Sequence, residues 1–202
     1  MFIEMIDLLR CPRDHEETWL VAAFTTMDGR FVVEGKLGCP VCNASYDVIE
    51  GVAHFGGEIS EAFAPNVSTE SVMRTAALLN LVRPGSLAVL CGSEASAAED
   101  LSELTQSRVI VMNPAASIED TEHVGTVVTD ERIPLASSSV DGIAIGDCHS
   151  LLADALRVLR PSGRLTVSAG AGLPSGFREI ARDDRCIVAE AIGPLMSIQR
   201  GS

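Results

Sequence analysis

Cys39-Pro40-Val41-Cys42 is a tight knuckle that presents two thiolates from one turn, and Cys11-Pro12-Arg13-Asp14-His15 begins as a second one. Thiolates in such knuckles sit about 3.5 to 4 Å apart, and two knuckles complete a tetrahedron around zinc. In the first knuckle the place of the second thiolate holds Asp14, with His15 one position further on. Both stay open as fourth ligand: Asp14 has the spacing, and His15 has the nitrogen that zinc prefers to a carboxylate oxygen. The metal set expected is therefore Cys11, Cys39 and Cys42 with Asp14 or His15; the alternative is a ribbon that has lost its ion and is held by packing. Cys91, Cys148 and Cys186 lie instead in apolar stretches and read as buried thiols. Unpaired thiols of both kinds belong in a reducing compartment, so the expected location is the cytoplasm.

Around the knuckles the chain reads as short strands and turns. Trp19 to Phe24 and Arg30 to Glu34 are strand-like, with Asp28-Gly29 between them as a hairpin signal, and Tyr46 to Glu50 and Val52 to Phe55 follow. Residues 1–55 hold too little apolar surface to close a core alone, so this unit needs a metal, a partner surface, or both. Residues 56–84 read as a linker and a helix that Ser68 can N-cap and Pro84-Gly85 ends. From residue 85 to 202 the rhythm is βαβ. Strands are expected at Leu87 to Cys91, Val109 to Met112, Val124 to Thr129, Val140 to Ile145, Arg164 to Ser168, Cys186 to Ala191 and Leu195 to Gln199. Helices are expected from Gly92 to about Thr105, from Ser150 to Leu159 and around Phe177 to Arg182.

Charge narrows the function classes. There are 28 acidic against 15 basic residues, a net −13, so the average surface repels phosphate backbones and anionic lipid, and no direct nucleic-acid or membrane partner is expected. No apolar run reaches the length needed to span a bilayer, and the start MFIEMIDLLRCP carries acids where a secretory leader has basic residues.

The frame Leu8-Leu9-Arg10-Cys11-Pro12, the hairpin, Leu37-Gly38-Cys39-Pro40-Val41-Cys42 and Ser45-Tyr46-Asp47-Val48-Ile49-Glu50-Gly51-Val52-Ala53 resembles the small zinc-ribbon family that includes the activator subunit of tRNA, ribosomal RNA and release-factor methyltransferases. That resemblance implies a ribbon that binds a methyltransferase and carries no catalytic group. Further on, three segments resemble a class I S-adenosylmethionine-dependent methyltransferase domain: Asp130-Glu131-Arg132-Ile133-Pro134-Leu135 through Ser138-Ser139-Val140-Asp141-Gly142-Ile143, then Ala155 to Leu165 with its Leu159-Arg160-Pro161-Ser162-Gly163 turn, then the closing strand pair. The fold implied is α/β, a Rossmann-like methyltransferase sheet with a small β zinc-ribbon-like domain at the N-terminal side.

By the same resemblance the cofactor-binding positions are Cys91, Gly92, Ser93, Asn113 and Asp130. They depart from the family pattern. The loop Cys91-Gly92-Ser93-Glu94-Ala95-Ser96 has one glycine where that fold has a Gly-x-Gly-x-Gly turn, and Asn113 stands where an acid takes the ribose hydroxyls. Asp130 keeps the acid near the adenine position. After the fourth strand of the fold, Gly146-Asp147-Cys148-His149-Ser150 replaces the loop that orients a planar nitrogen. Asp147 and His149 sit where a general base could project; against that, His149 and Ser150 read as caps of the next helix. No catalytic residue is assigned. The expected function is a non-catalytic or regulatory methyltransferase-like binding protein with zinc in its ribbon and a protein partner or second copy on its surface. The alternative is an active methyltransferase that uses S-adenosylmethionine on a small-molecule or protein hydroxyl or carbon.

Overall fold

The computed structural model describes residues 1–57 and 67–192. The N-terminal part comprises the short helix α1 (Ile3–Ile6) and strands β1 (Val21–Asp28), β2 (Phe31–Gly38), β3 (Ser45–Ile49) and β4 (Val52–His54). The Asp28-Gly29 signal closes the β1–β2 hairpin: Asp28 pairs with Phe31, and Gly29 takes φ 57°. Helix α2 (Thr69–Leu79) starts where Ser68 accepts a hydrogen bond from the Ser71 N–H at 3.2 Å. It ends earlier than Pro84-Gly85. Asn80 adopts the left-handed conformation, φ 56°, and its N–H returns to the carbonyls of Ala76 and Ala77, which ends the helix without any need for the proline.

Strands β5 (Leu87–Cys91), β6 (Arg108–Met112), β7 (Val124–Val128), β8 (Val140–Ile145) and β9 (Leu159–Ser168) run parallel in the order β7-β6-β5-β8-β9. β11 (Cys186–Ala191) then pairs antiparallel with β9, and β10 (Phe177–Arg182) forms the far edge. This is the doubly wound, Rossmann-like α/β sheet with a reversed strand that the sequence implies. Its strands are buried on both faces, as parallel strands require. Along β5, Leu87, Val89 and Cys91 face one core cluster and Ala88 and Leu90 the other. Helices α2 and α3 (Ala98–Thr105) cover the second cluster, and α4 (Leu152–Val158) lies over the first.

The helix expected around Phe177 to Arg182 is the strand β10. Six residues are too few to hold a helix without tertiary help, whereas β11 offers a full ladder and an Arg178–Glu190 ion pair at 2.7 Å. The helical stretches after β5 and β8 each open with a 3-10 turn, Gly92–Ala97 and His149–Leu151. The strand expected at Leu195 to Gln199 lies outside the described residues.

The N-terminal part does not stand apart. β4 adds to β7 in parallel, with Ala53 opposite Val127 and His54 opposite Val128, so one sheet of eleven strands runs from β1 to β10. A bridge between Leu9 and Leu135 and the Arg10 N–H donated to the Pro134 carbonyl at 2.9 Å fasten the first knuckle to the other half. Met5, Leu9, Val48 and Phe55 thus share a core with Ile110, Met112 and Leu135. The thin apolar content of residues 1–55 is made good by this packing. Among the described residues no helix is long and apolar enough to cross a membrane.

Candidate functional site

The two knuckles meet. One donor atom from each of Cys11, His15, Cys39 and Cys42 lies within 4.8 Å of all the others. The Sγ atoms of Cys11 and Cys42 are 3.7 Å apart, and His15 Nε2 lies 3.1 Å from Cys11 Sγ and 3.4 Å from Cys39 Sγ. A tetrahedron with zinc–sulfur bonds of about 2.3 Å has edges of about 3.8 Å, so these separations leave room for one ion and little else. His15 Nδ1 lies 2.6 Å from the Glu16 carbonyl, which can only accept; Nδ1 therefore carries the proton and Nε2 turns its lone pair to the thiols. Of the two candidates for the fourth ligand, the fold brings in His15. Asp14 is fully exposed and faces Arg132 at 3.8 Å, because the turn after Pro12 directs it outward.

The thiols are not equivalent. Burial pushes Cys39 up, but the backbone N–H groups of Cys42 and Val41 and the neighbouring thiols outweigh it and bring it down to about 7. Burial raises Cys11, partly opposed by the Tyr46 hydroxyl at 3.3 Å. A cation among them would favour thiolate throughout.

In a doubly wound sheet ligands bind outside the carboxyl ends of the strands where the winding reverses, here between β5 and β8. Cys91, Gly92 and Ser93 stand at that point, Cys91 fully buried and Gly92 at φ 63°. The space directly over Gly92 is taken by the chain itself. A Cβ at Gly92 would collide with Oδ1 of Asp147, and that oxygen accepts the Ser93 N–H at 2.9 Å. Glu94 is half-buried beside it; burial first and the Asp147 charge second hold its carboxyl above the usual range. Cys148 is pushed up to about 11 by burial and by Asp147.

Asn113 is committed elsewhere. Its Nδ2 donates to the Thr129 carbonyl at 2.8 Å and its Oδ1 accepts the Thr129 N–H at 2.8 Å, which closes a reciprocal amide pair. Both ends of the side chain are used, at a residue whose φ of 48° suits asparagine. Asp130 opens into a different hollow, of ≈ 610 Å³, between the first knuckle and the loop after β7, with Arg13, Tyr46, Phe55 and Arg132. Of the five expected cofactor positions, Ser93 and Asp130 thus line two different hollows. His149 and Ser150 make no helix cap: the helix after β8 begins without a side-chain cap, and the Ser150 hydroxyl donates to the Asp130 carbonyl at 3.0 Å.

Beside the closed point over Gly92, a cleft of ≈ 440 Å³ runs along the ends of β8 and β9 under α2. Ser93, Glu94, Asp147 and His149 line one side, and Thr166, Ser168, Arg74 and Arg185 the other. Sequence reasoning missed the second group. Its members come from α2, β9 and the turn before β11, and no local motif joins them.

No family model and no curated protein matches this chain. Solved structures that match in fold are methyltransferases. They include a geranyl diphosphate C-methyltransferase from Streptomyces coelicolor A3(2), with 18% identity and a TM-score of 0.41 over 49% of this chain and 44% of that one. A phosphoethanolamine N-methyltransferase 2 from Haemonchus contortus matches with 15% identity and a TM-score of 0.43 over 53% and 30%. The antibiotic-resistance methyltransferase Kmr matches with 14% identity and a TM-score of 0.44 over 67% and 98%. The chain spans 44% of the length of each of the first structures matched.

Proposed function

We propose that this chain is a non-catalytic, methyltransferase-like binding protein whose N-terminal ribbon holds zinc through Cys11, His15, Cys39 and Cys42. The observation that carries the first half is the Asp147 carboxylate over Gly92, hydrogen-bonded to the Ser93 N–H. Backbone approach at such a glycine is what an adenosyl cofactor needs, and a charged side chain already occupies it. Asn113, tied to Thr129 at both ends, has its amide fixed in orientation by that pair and offers a ribose at most one remaining lone pair, without the charge of an acid. Three thiols and an imidazole at tetrahedral spacing support zinc, since this soft donor set suits it better than oxygen-seeking ions. Zinc there would fix the knuckle that grips the Pro134 loop, and it supplies structure only.

The ribbon's usual task of covering a methyltransferase-like surface is done here within one chain by β4 on β7. A protein partner, a second copy included, then docks elsewhere, and the exposed edge strand β1 suits this: Val21 to Met27 carries no charge. The reducing cytoplasm suits the free thiols. Isothermal titration of S-adenosylmethionine and S-adenosylhomocysteine into the full chain, with zinc quantified on the same sample, tests the reading. No heat at millimolar ligand and one zinc per chain are expected. Micromolar binding of either compound overturns the non-catalytic reading and revives an active methyltransferase.

A further inference from the structure

The cleft beside the closed crevice differs in charge from one end to the other. At the β5 end stand Glu94 and Asp147. Glu94 is half-buried and makes no ion pair or side-chain hydrogen bond among the described residues. At the opposite end Arg185 precedes β11, and its guanidinium faces no carboxylate partner among the described residues. Arg74 stands near it, bound to Asp183 and 3.6 Å from Cys186 Sγ. Between the two ends Thr166, only 8% exposed, lines the cleft with a hydroxyl that makes no hydrogen bond among the described residues. That hydroxyl is not sealed from solvent, so it is available to a ligand in the cleft.

This arrangement selects by charge. A simple anion drawn to Arg185 meets two carboxylates, and a polycation drawn to those carboxylates meets the Arg185 guanidinium. An uncharged ligand leaves the half-buried Glu94 without a counter-charge. A molecule with one ammonium and one carboxylate satisfies both ends at once, provided its charges are far enough apart. From β5 through β8 and β9 to β11 is three strand steps, about 14 Å at about 4.8 Å each, and the arms of Glu94 and Arg185 narrow that span from both sides.

We propose that this cleft binds a small zwitterion whose amine and carboxylate are separated by several bonds, a dipeptide or an ω-amino acid. The ammonium lies at Glu94 and Asp147, the carboxylate at Arg185, and the middle of the molecule passes Thr166 and Ser168, where an amide would give the Thr166 hydroxyl its partner. The inference rests on the reading that no adenosyl cofactor occupies the point over Gly92, because its methionine end would compete for the same carboxylates.

Calorimetric titration of the full chain tests it, with the series from glycine through 6-aminohexanoate to 8-aminooctanoate, and with diglycine and triglycine, as probes of charge separation. Affinity rises with charge separation to a maximum within the series. Hexylamine and hexanoate, which each carry one of the two charges, bind at least about tenfold more weakly than 6-aminohexanoate. Glu94→Gln and Arg185→Met each weaken the best member by about tenfold or more, with unchanged far-ultraviolet circular dichroism as the check that they fold. Silence across the series at millimolar ligand, affinity independent of length, or indifference to both substitutions overturns the inference and leaves the non-catalytic reading standing. Micromolar S-adenosylmethionine binding that displaces the amino acids overturns both.

Discussion

The knuckle cluster and the point over Gly92 are both places where loops bring ligand-type groups together, and they have resolved the same problem in opposite ways. At the knuckles four donor atoms converge within 4.8 Å, and the one ring proton that would block them is held by the Glu16 carbonyl. Thiols at such spacing make poor hydrogen bonds to one another, so the groups are left facing a common centre. Over Gly92 the polar groups have found each other: Asp147 takes the Ser93 N–H, and nearby Asn113 closes on Thr129. Convergent donors that do not satisfy one another mark a site kept for a ligand. Donors and acceptors that pair off mark one that the chain has filled.

Metal removal is the strongest test of this contrast. An ion bound at a thousandfold excess over its Kd contributes about 4 kcal/mol, and for a chain of this size each kcal/mol moves Tm by roughly 2–4 °C. Chelation is thus expected to lower Tm by roughly 8–16 °C in a thermal melt, and Cys39→Ala to do the same with loss of the bound zinc. A melt indifferent to both would mean that packing alone holds the ribbon and that the two regions do not differ.

Asn113→Asp sharpens the other side. It restores the acid that the methyltransferase resemblance implies, yet here it places a carboxylate oxygen against the Thr129 carbonyl in place of an N–H. A loss of roughly 1–3 kcal/mol in urea unfolding is expected, without any gain in S-adenosylmethionine binding. A stable variant that gains cofactor binding would show the crevice to be open after all.

The smallest effect is expected at Glu94, whose carboxyl is held above the usual range by burial and by Asp147. A raised carboxyl favours the folded state only while it is protonated. Its contribution is full below the ordinary glutamate pKa and fades as pH rises through the folded value. Glu94→Gln should therefore raise Tm slightly at neutral pH and leave it unchanged in acid below the ordinary glutamate pKa. A variant that lowers Tm at neutral pH would mean that Glu94 has a cationic partner.

The knuckles, the Asp28-Gly29 hairpin and the strand runs of the second half were legible because each is set locally. Proline and glycine fix turns, and a run such as Leu87 to Cys91 has no soluble place except a strand buried on both sides. The eroded glycine loop was legible too, as a departure from a pattern. What closed it was not. Asp147 lies 54 residues beyond Ser93, and only the adjacency of β5 and β8 brings its carboxylate over Gly92.

The same division holds across the molecule. The sequence by itself determined that two Cys-Pro turns and a βαβ run would form, since backbone sterics and burial act over a few residues. Tertiary structure decided that His15 and not Asp14 turns inward, that residues 177–182 are a strand, and that β4 joins β7 to make one sheet of both halves. Each of those outcomes turns on a partner outside the local turn or segment, from Ala191 opposite Phe177 to Val127 opposite Ala53. Hydrogen bonds and charges there outweigh preferences that, over a single turn or a six-residue segment, amount to little.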